Sequence, residues 1–193
     1  MTSVYALLAV AAVVMIVAGA FKLRDPASSE PVLRLLHLPA APWAARLYGL
    51  LEIGAGAGAL LFGGVLFPLL VALLFGSFAL VVVGLLRLGA AAPSCGCFGR
   101  LSSSPSRLHV GVNIGAAVVA LVAGAGDEPG LVGLANGGTG SSMIELVVAA
   151  ALVALASWLV IAVVTVLPPA LEATRRGPRP PAVRTFEIPE GNW

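Results

Sequence analysis

The sequence predicts an all-α fold, a polytopic bundle of transmembrane helices, on three observations. Of 193 residues, 59% are hydrophobic and only 10% are charged, whereas ordinary soluble domains carry about 25% charged residues. Mean hydropathy is +1.02, which leaves too little polar surface for a water-facing globule and too much apolar surface for a disordered chain. The apolar residues also fall into charge-poor runs long enough to cross a bilayer. Five spans of about 20 residues take up roughly half the chain, so no separate soluble enzyme domain fits beside them.

Residues 3–21 are an uncharged apolar run and form the first span. Ala18-Gly19-Ala20 near its end resembles a signal-peptidase site. Met1-Thr2-Ser3 carries no positive charge, however, and the run is long for a signal core, so a retained span is expected. Residues 43–87 form one apolar block holding Arg46 and Glu52. Gly63-Gly64 and Pro68 divide it into spans at 44–62 and 66–86. A fourth span covers 108–126 and a fifth 143–167, the last stopped by Pro168-Pro169. Residues 1–167 are thus expected to form the transmembrane domain.

The segments between are polar. Residues 22–43 hold Lys22, Arg24, Asp25, Glu30 and Arg34, and residues 87–107 hold Cys95-Gly96-Cys97 and a serine-rich stretch. Residues 127–142, rich in Gly and Ser with Asp127 and Glu128, predict a mobile loop. Residues 168–193, rich in Pro and Arg, predict a disordered tail. With five spans, 22–46, 87–107 and 168–193 share one side, and all 11 basic residues lie there. The opposite side has Asp127 and Glu128 and no basic residue. Four or six spans would break this segregation. The positive-inside rule then puts the tail in the cytoplasm and the N-terminus outside a multi-pass cell-membrane protein.

Among chemistry-bearing residues, the two cysteines stand out: they sit two apart in Pro93-Ser-Cys-Gly-Cys-Phe-Gly-Arg100. Bridging residues i and i+2 requires the chain to bend, which Gly96 permits. A ring so small is strained, hence easily reduced, and closing so short a loop adds little stability. That favours thiol–disulfide exchange over a structural staple, with Arg100 near enough to favour a thiolate. A metal site is the weaker alternative: structural zinc takes four ligands, and the chain offers one Cys pair with His37 and His109. A dimer supplying four thiolates, a cuprous ion, or inert cysteines remain open.

Glu52 falls within the second span, where a carboxyl normally faces the bundle interior or a cavity and is a candidate proton relay. Lys22 closes the first span; it either snorkels to the interface or pairs with Glu52, since both approach the same face. His109 and Asn113 are four apart and share a helix face near the cysteine-bearing side. His109 is either a proton donor and acceptor beside the thiols or an interfacial histidine, and Asn113 either a site residue or interhelical hydrogen-bond glue. Gly49, Gly54, Gly56 and Gly58 in the second span and Gly111 and Gly115 in the fourth, with the patterns Gly54-xxx-Gly58 and Gly111-xxx-Gly115, are expected to let helices approach within the bundle. No phosphate-binding loop, nucleophile elbow or zincin helix is present.

Several of these elements occur in a recognisable order: Gly19-Ala-Phe-Lys22-Leu-Arg-Asp25 closing the first span, Glu52 in a Gly-rich second span, Cys95-Gly-Cys-Phe-Gly99 after the third, and Asn113 opening the fourth. Together they resemble the MauE family of redox-associated membrane proteins, related to DoxX, over roughly residues 5–125. The resemblance implies a four-helix DoxX-like core plus a fifth span, with the cysteine loop at its mouth. It also implies a role in maturing an extracytoplasmic client (in the family, the methylamine dehydrogenase small subunit, rich in disulfides) beside thioredoxin-like partners. Lys22, Glu52, Cys95, Cys97 and Asn113 match the family's pattern. The chain departs from it at Val112, where the pattern has Arg, and at His109, where it has an aromatic residue.

The expected function is therefore membrane thiol–disulfide redox chemistry through Cys95 and Cys97, with Glu52, His109, Asn113 and Lys22 supporting it. No covalently bound cofactor and no metal is expected. Thiols alone cannot store electrons, so a quinone or a thioredoxin-like protein is the expected electron partner. The other partners are the lipid bilayer and a secreted disulfide-containing client; nucleic acid is not one. The charge rule places the cysteine loop on the cytoplasmic face. Oxidation of a secreted client then requires either electron transfer across the bundle or an orientation against the rule. The alternatives are a small-molecule or proton-coupled permease, motivated by Glu52, and a non-catalytic assembly factor.

Overall fold

A computed structural model of the chain describes residues 3–35, 39–87, 105–136 and 143–176. Five helices among them are long and apolar enough to cross a membrane. They are α1 (Ser3–Arg24), α3 (Pro42–Leu61), α4 (Leu66–Arg87), α5 (Arg107–Ala125) and α7 (Met143–Arg176). The first four match the expected spans to within about a turn, the uncertainty usual for helix ends. Two short helices lie between them, α2 (Glu30–Leu35) and α6 (Leu131–Asn136), with a 3-10 turn at Pro26–Ser29.

Local chemistry sets the helix ends. α1 carries Lys22 and Arg24 in its last turn, where positive charge complements the carbonyl end of the helix dipole, and Pro26 follows. α3 opens on Pro42, whose missing N–H costs nothing in a first turn. It closes at Gly63 and Gly64, both with positive φ (65° and 68°), a conformation that favours glycine.

α1 is the central helix. It packs most extensively on α3 and also touches α4, α5 and α7, while α4 and α5 form a second close pair. The α1–α3 seam is made by glycine. A Cβ on Gly19 would lie 2.5 Å from the Gly49 carbonyl oxygen, and one on Gly56 would lie 2.8 Å from that of Ala12. Only hydrogen fits there, so the two backbones approach closely. Of the glycines expected to let helices approach, Gly49 and Gly56 do so at this seam, and the expectation is corrected for the spaced pairs Gly54-xxx-Gly58 and Gly111-xxx-Gly115. Gly54, Gly111 and Gly115 have no such neighbour within 4 Å, and Gly58 meets the Phe67 ring of α4. Glycine spacing alone does not say which face of a helix meets a neighbour.

Two other expectations change. The loop at 127–142 is folded over its described part. Gly64 donates its N–H to the Glu128 carbonyl (2.9 Å), and Gly130 donates to that of Phe62 (3.2 Å). The tight α3–α4 turn leaves backbone groups needing partners, and the segment after α5 supplies them. Residues 137–142 lie outside the described set. The fifth span also does not stop at Pro168-Pro169; α7 continues through both to Arg176. Proline's fixed φ is itself helical, and the carbonyls it leaves unbonded are tolerated where other groups can satisfy them. Residues 168–176 are therefore helical rather than disordered, and 177–193 lie outside the described residues.

Candidate functional site

α1 and α3 run antiparallel: the Tyr5 hydroxyl donates to the Leu60 carbonyl (2.7 Å) at one end, and Gly19 meets Gly49 toward the other. Side chains on an α-helix tilt toward its N-terminus. Lys22, in the last turn of α1, therefore leans back into the bundle, while Glu52, halfway along α3, leans toward it. They meet. Lys22 Nζ donates to both carboxylate oxygens of Glu52, at 2.8 and 2.9 Å. Lys22 is 4% and Glu52 0% exposed. Of the two roles open to Lys22, pairing is the one adopted and snorkelling is not.

Aromatic rings complete the ammonium's surroundings. Nζ lies 4.7 Å from the ring centre of Phe78 and 5.8 Å from that of Tyr48, within the range of cation–π attraction. Those rings meet edge to face at 5.6 Å, and the Tyr48 hydroxyl lies 3.0 Å from Ser77 Oγ. A charge pair this deep is sustained by its mutual attraction and by complete hydrogen bonding. Among the described residues, no buried side-chain polar atom lacks a partner.

Glu52 is also among the residues lining a cavity of about 40 Å³ between α1, α3, α4, α5 and α7. His109 and Asn113 are its other polar lining residues; Met15, Phe75, Phe78 and Val164 are among its apolar walls. His109 is 2% exposed, so its side chain is buried within the bundle. Its Nδ1 lies 2.8 Å from Oγ of Ser106, the residue before α5. Asn113 donates its side-chain amide to the His109 carbonyl (2.7 Å), which ties the two residues expected to share a face.

The fold thus brings Glu52, His109 and Asn113 to one cavity, with Lys22 joined to it through Glu52. Cys95, Cys97 and Arg100, and His37 with them, lie outside the described residues. Among the described residues no cluster of three or more His, Cys, Asp or Glu side chains is placed to hold a metal ion. Sequence reasoning missed Tyr48, Phe78, Ser106, Val160 and Val164. Tyr48 stands four before Glu52 and Ser106 three before His109, helical spacings that mark them as same-face neighbours. Phe78, Val160 and Val164 carried no local signal, because only tertiary packing brings α4 and α7 to the site.

Compared with known protein families, the chain matches the one described as Methylamine utilisation protein MauE, over residues 1–126. No curated protein and no solved structure matches it.

Proposed function

Since the chain belongs to the MauE family, we propose that it is a membrane thiol–disulfide redox protein supporting disulfide formation in an extracytoplasmic client. Cys95 and Cys97 are the exchanging pair. Their disulfide accepts two electrons from two client thiols, leaving the client bridged and the pair as a dithiol. The pair is reoxidised by a quinone, which takes the two electrons and two protons to become a quinol, or by a thioredoxin-like disulfide. Glu52 and His109 handle the protons, Lys22 holds Glu52, and Asn113 fixes the α5 backbone at His109. Direct exchange with that client requires the cysteine loop to face outward, against the orientation that the charge distribution favours; with the loop on the cytoplasmic face, electrons must instead cross the bundle. The observation that carries this reading is that Glu52, paired with Lys22 of α1, lines one cavity together with His109 and Asn113 of α5.

The deciding experiment replaces both cysteines with Ala. Insertion should be intact and client disulfide formation lost; unchanged client oxidation would overturn the proposal. Thiol labelling from each face of intact cells, with and without reductant, reports the pair's redox state and sidedness. The buried pair beside a cavity also favours a second reading, a proton-coupled permease. That reading predicts liposome uptake surviving the double Cys change and abolished by Glu52→Gln.

A further inference from the structure

We propose that the cavity beside Glu52 is a hydrated chamber in which water from the basic end of the bundle exchanges protons with the buried carboxyl, and that α7 is its seal against lipid. By the same measure a single water needs roughly 10–15 Å³, so a cavity of about 40 Å³ has room for more than one. Genuinely empty protein cavities are lined by apolar groups alone; the walls of this one are mostly apolar but include three polar residues. Here Glu52 and His109 are almost wholly buried and line the space together with Asn113.

The route is set by α5. Ser106 precedes the helix, Arg107 begins it, and Ser106 Oγ lies 2.8 Å from Nδ1 of His109, which lines the cavity. The charged and titratable groups facing Glu52 and its partner are Lys22 from α1, Tyr48 from α3 and His109 from α5. α4 and α7 contribute Phe75, Phe78, Val160 and Val164, which carry no charge. The seal comes from Val160 and Val164; Val164 is 4% exposed on a helix that otherwise shows mostly open apolar surface. α7 lies beyond the family-matched residues 1–126, so this wall is an addition to the matched segment.

The step is a proton transfer with no redox change. A hydronium in the chamber gives its proton to the Glu52 carboxylate, leaving water and a neutral acid, and Lys22 keeps its ammonium charge. The proposal goes beyond the thiol reading, because hydration and exchange do not require the cysteines.

The test is infrared difference spectroscopy of the full-length protein in lipid nanodiscs, comparing wild type with Glu52→Gln across an acid titration. A carboxylic C=O band that is absent in Glu52→Gln and shifts in D₂O within the time of buffer exchange is expected. Val160→Phe and Val112→Phe, each filling the chamber from a different helix, should slow that shift by an order of magnitude in protein of unchanged helicity. No Glu52 band, a band that does not exchange, or undiminished exchange in whichever filled variant folds would overturn the proposal. Cys95→Ala/Cys97→Ala protein should exchange as wild type does, so failure of the thiol reading leaves this result untouched.

Discussion

The α1–α3 seam and α7 are both long apolar helical surfaces, yet they are held in opposite ways. At the seam, glycines bring two backbones together and an ion pair is locked between them. α7 meets α1 more sparsely and α5 barely. Leu152, Trp158 and Val166 on it are more than half exposed, and a shallow apolar groove runs between it and α1 past Leu7 and Leu152. Lipid tails are as apolar as leucine, so a membrane helix is not driven to its neighbours by the hydrophobic effect. What fastens it is close packing and polar contact. The seam has both; on α7, Ser157 and Val164 are buried and Val160 and Ile161 pack partly buried against the core. The comparison separates the part of the molecule that builds the site from the part that covers it.

The largest expected effect tests the ion pair. Lys22→Met leaves Glu52 buried and unpaired and should cost about 3–5 kcal/mol. Adding Glu52→Leu should recover most of that, since an apolar pair can replace a buried ionic one. Reversible unfolding in mixed micelles, followed by far-ultraviolet circular dichroism, measures both; no difference between the single and double variants would show that the pair does not hold the seam.

Next in size is the glycine contact. Gly56→Leu forces the backbones apart and should cost at least about 1–3 kcal/mol, while Gly54→Leu, facing open space, should stay within about 0.5 kcal/mol. Equal costs would mean that the two glycine faces are wrongly distinguished. On α7 the effects should be smaller. Val164→Ala loses packing but gains no exposure to water, and should cost about 1 kcal/mol. Leu152→Ala, facing lipid, should be silent within about 0.5 kcal/mol by the same unfolding measurement. A large Leu152 effect would make α7 as tightly held as the seam.

Much of the fold was legible because a bilayer imposes a length and a composition on every span. The helix ends at Asp25-Pro26, at Gly63-Gly64 and before α5 follow from residues that cannot continue a helix or that carry charge. Proline at 168–169 misled because its φ suits a helix, and whether the freed carbonyls are tolerated depends on what surrounds them. The 127–136 segment misled because its Gly and Asp residues suit a loop equally well whether or not a neighbouring turn binds it. For the site, Glu52 and Lys22 were legible as costly charges in an apolar setting. His109 was not, because the same residue at a helix start can face water or the core.

The sequence by itself determined that this chain has five stretches long and apolar enough to cross a membrane, that its basic residues fall in 22–46, 87–107 and 168–193, and which polar residues are costly in an apolar setting. These follow from the transfer cost of each residue, a property that does not depend on neighbours. Only the tertiary structure decided that Lys22 pairs with Glu52 instead of reaching for water, that Gly49 and Gly56 rather than Gly54 meet α1, and that α7 walls the cavity. Those outcomes depend on which faces of the helices meet, and that is fixed jointly by every helix in the bundle.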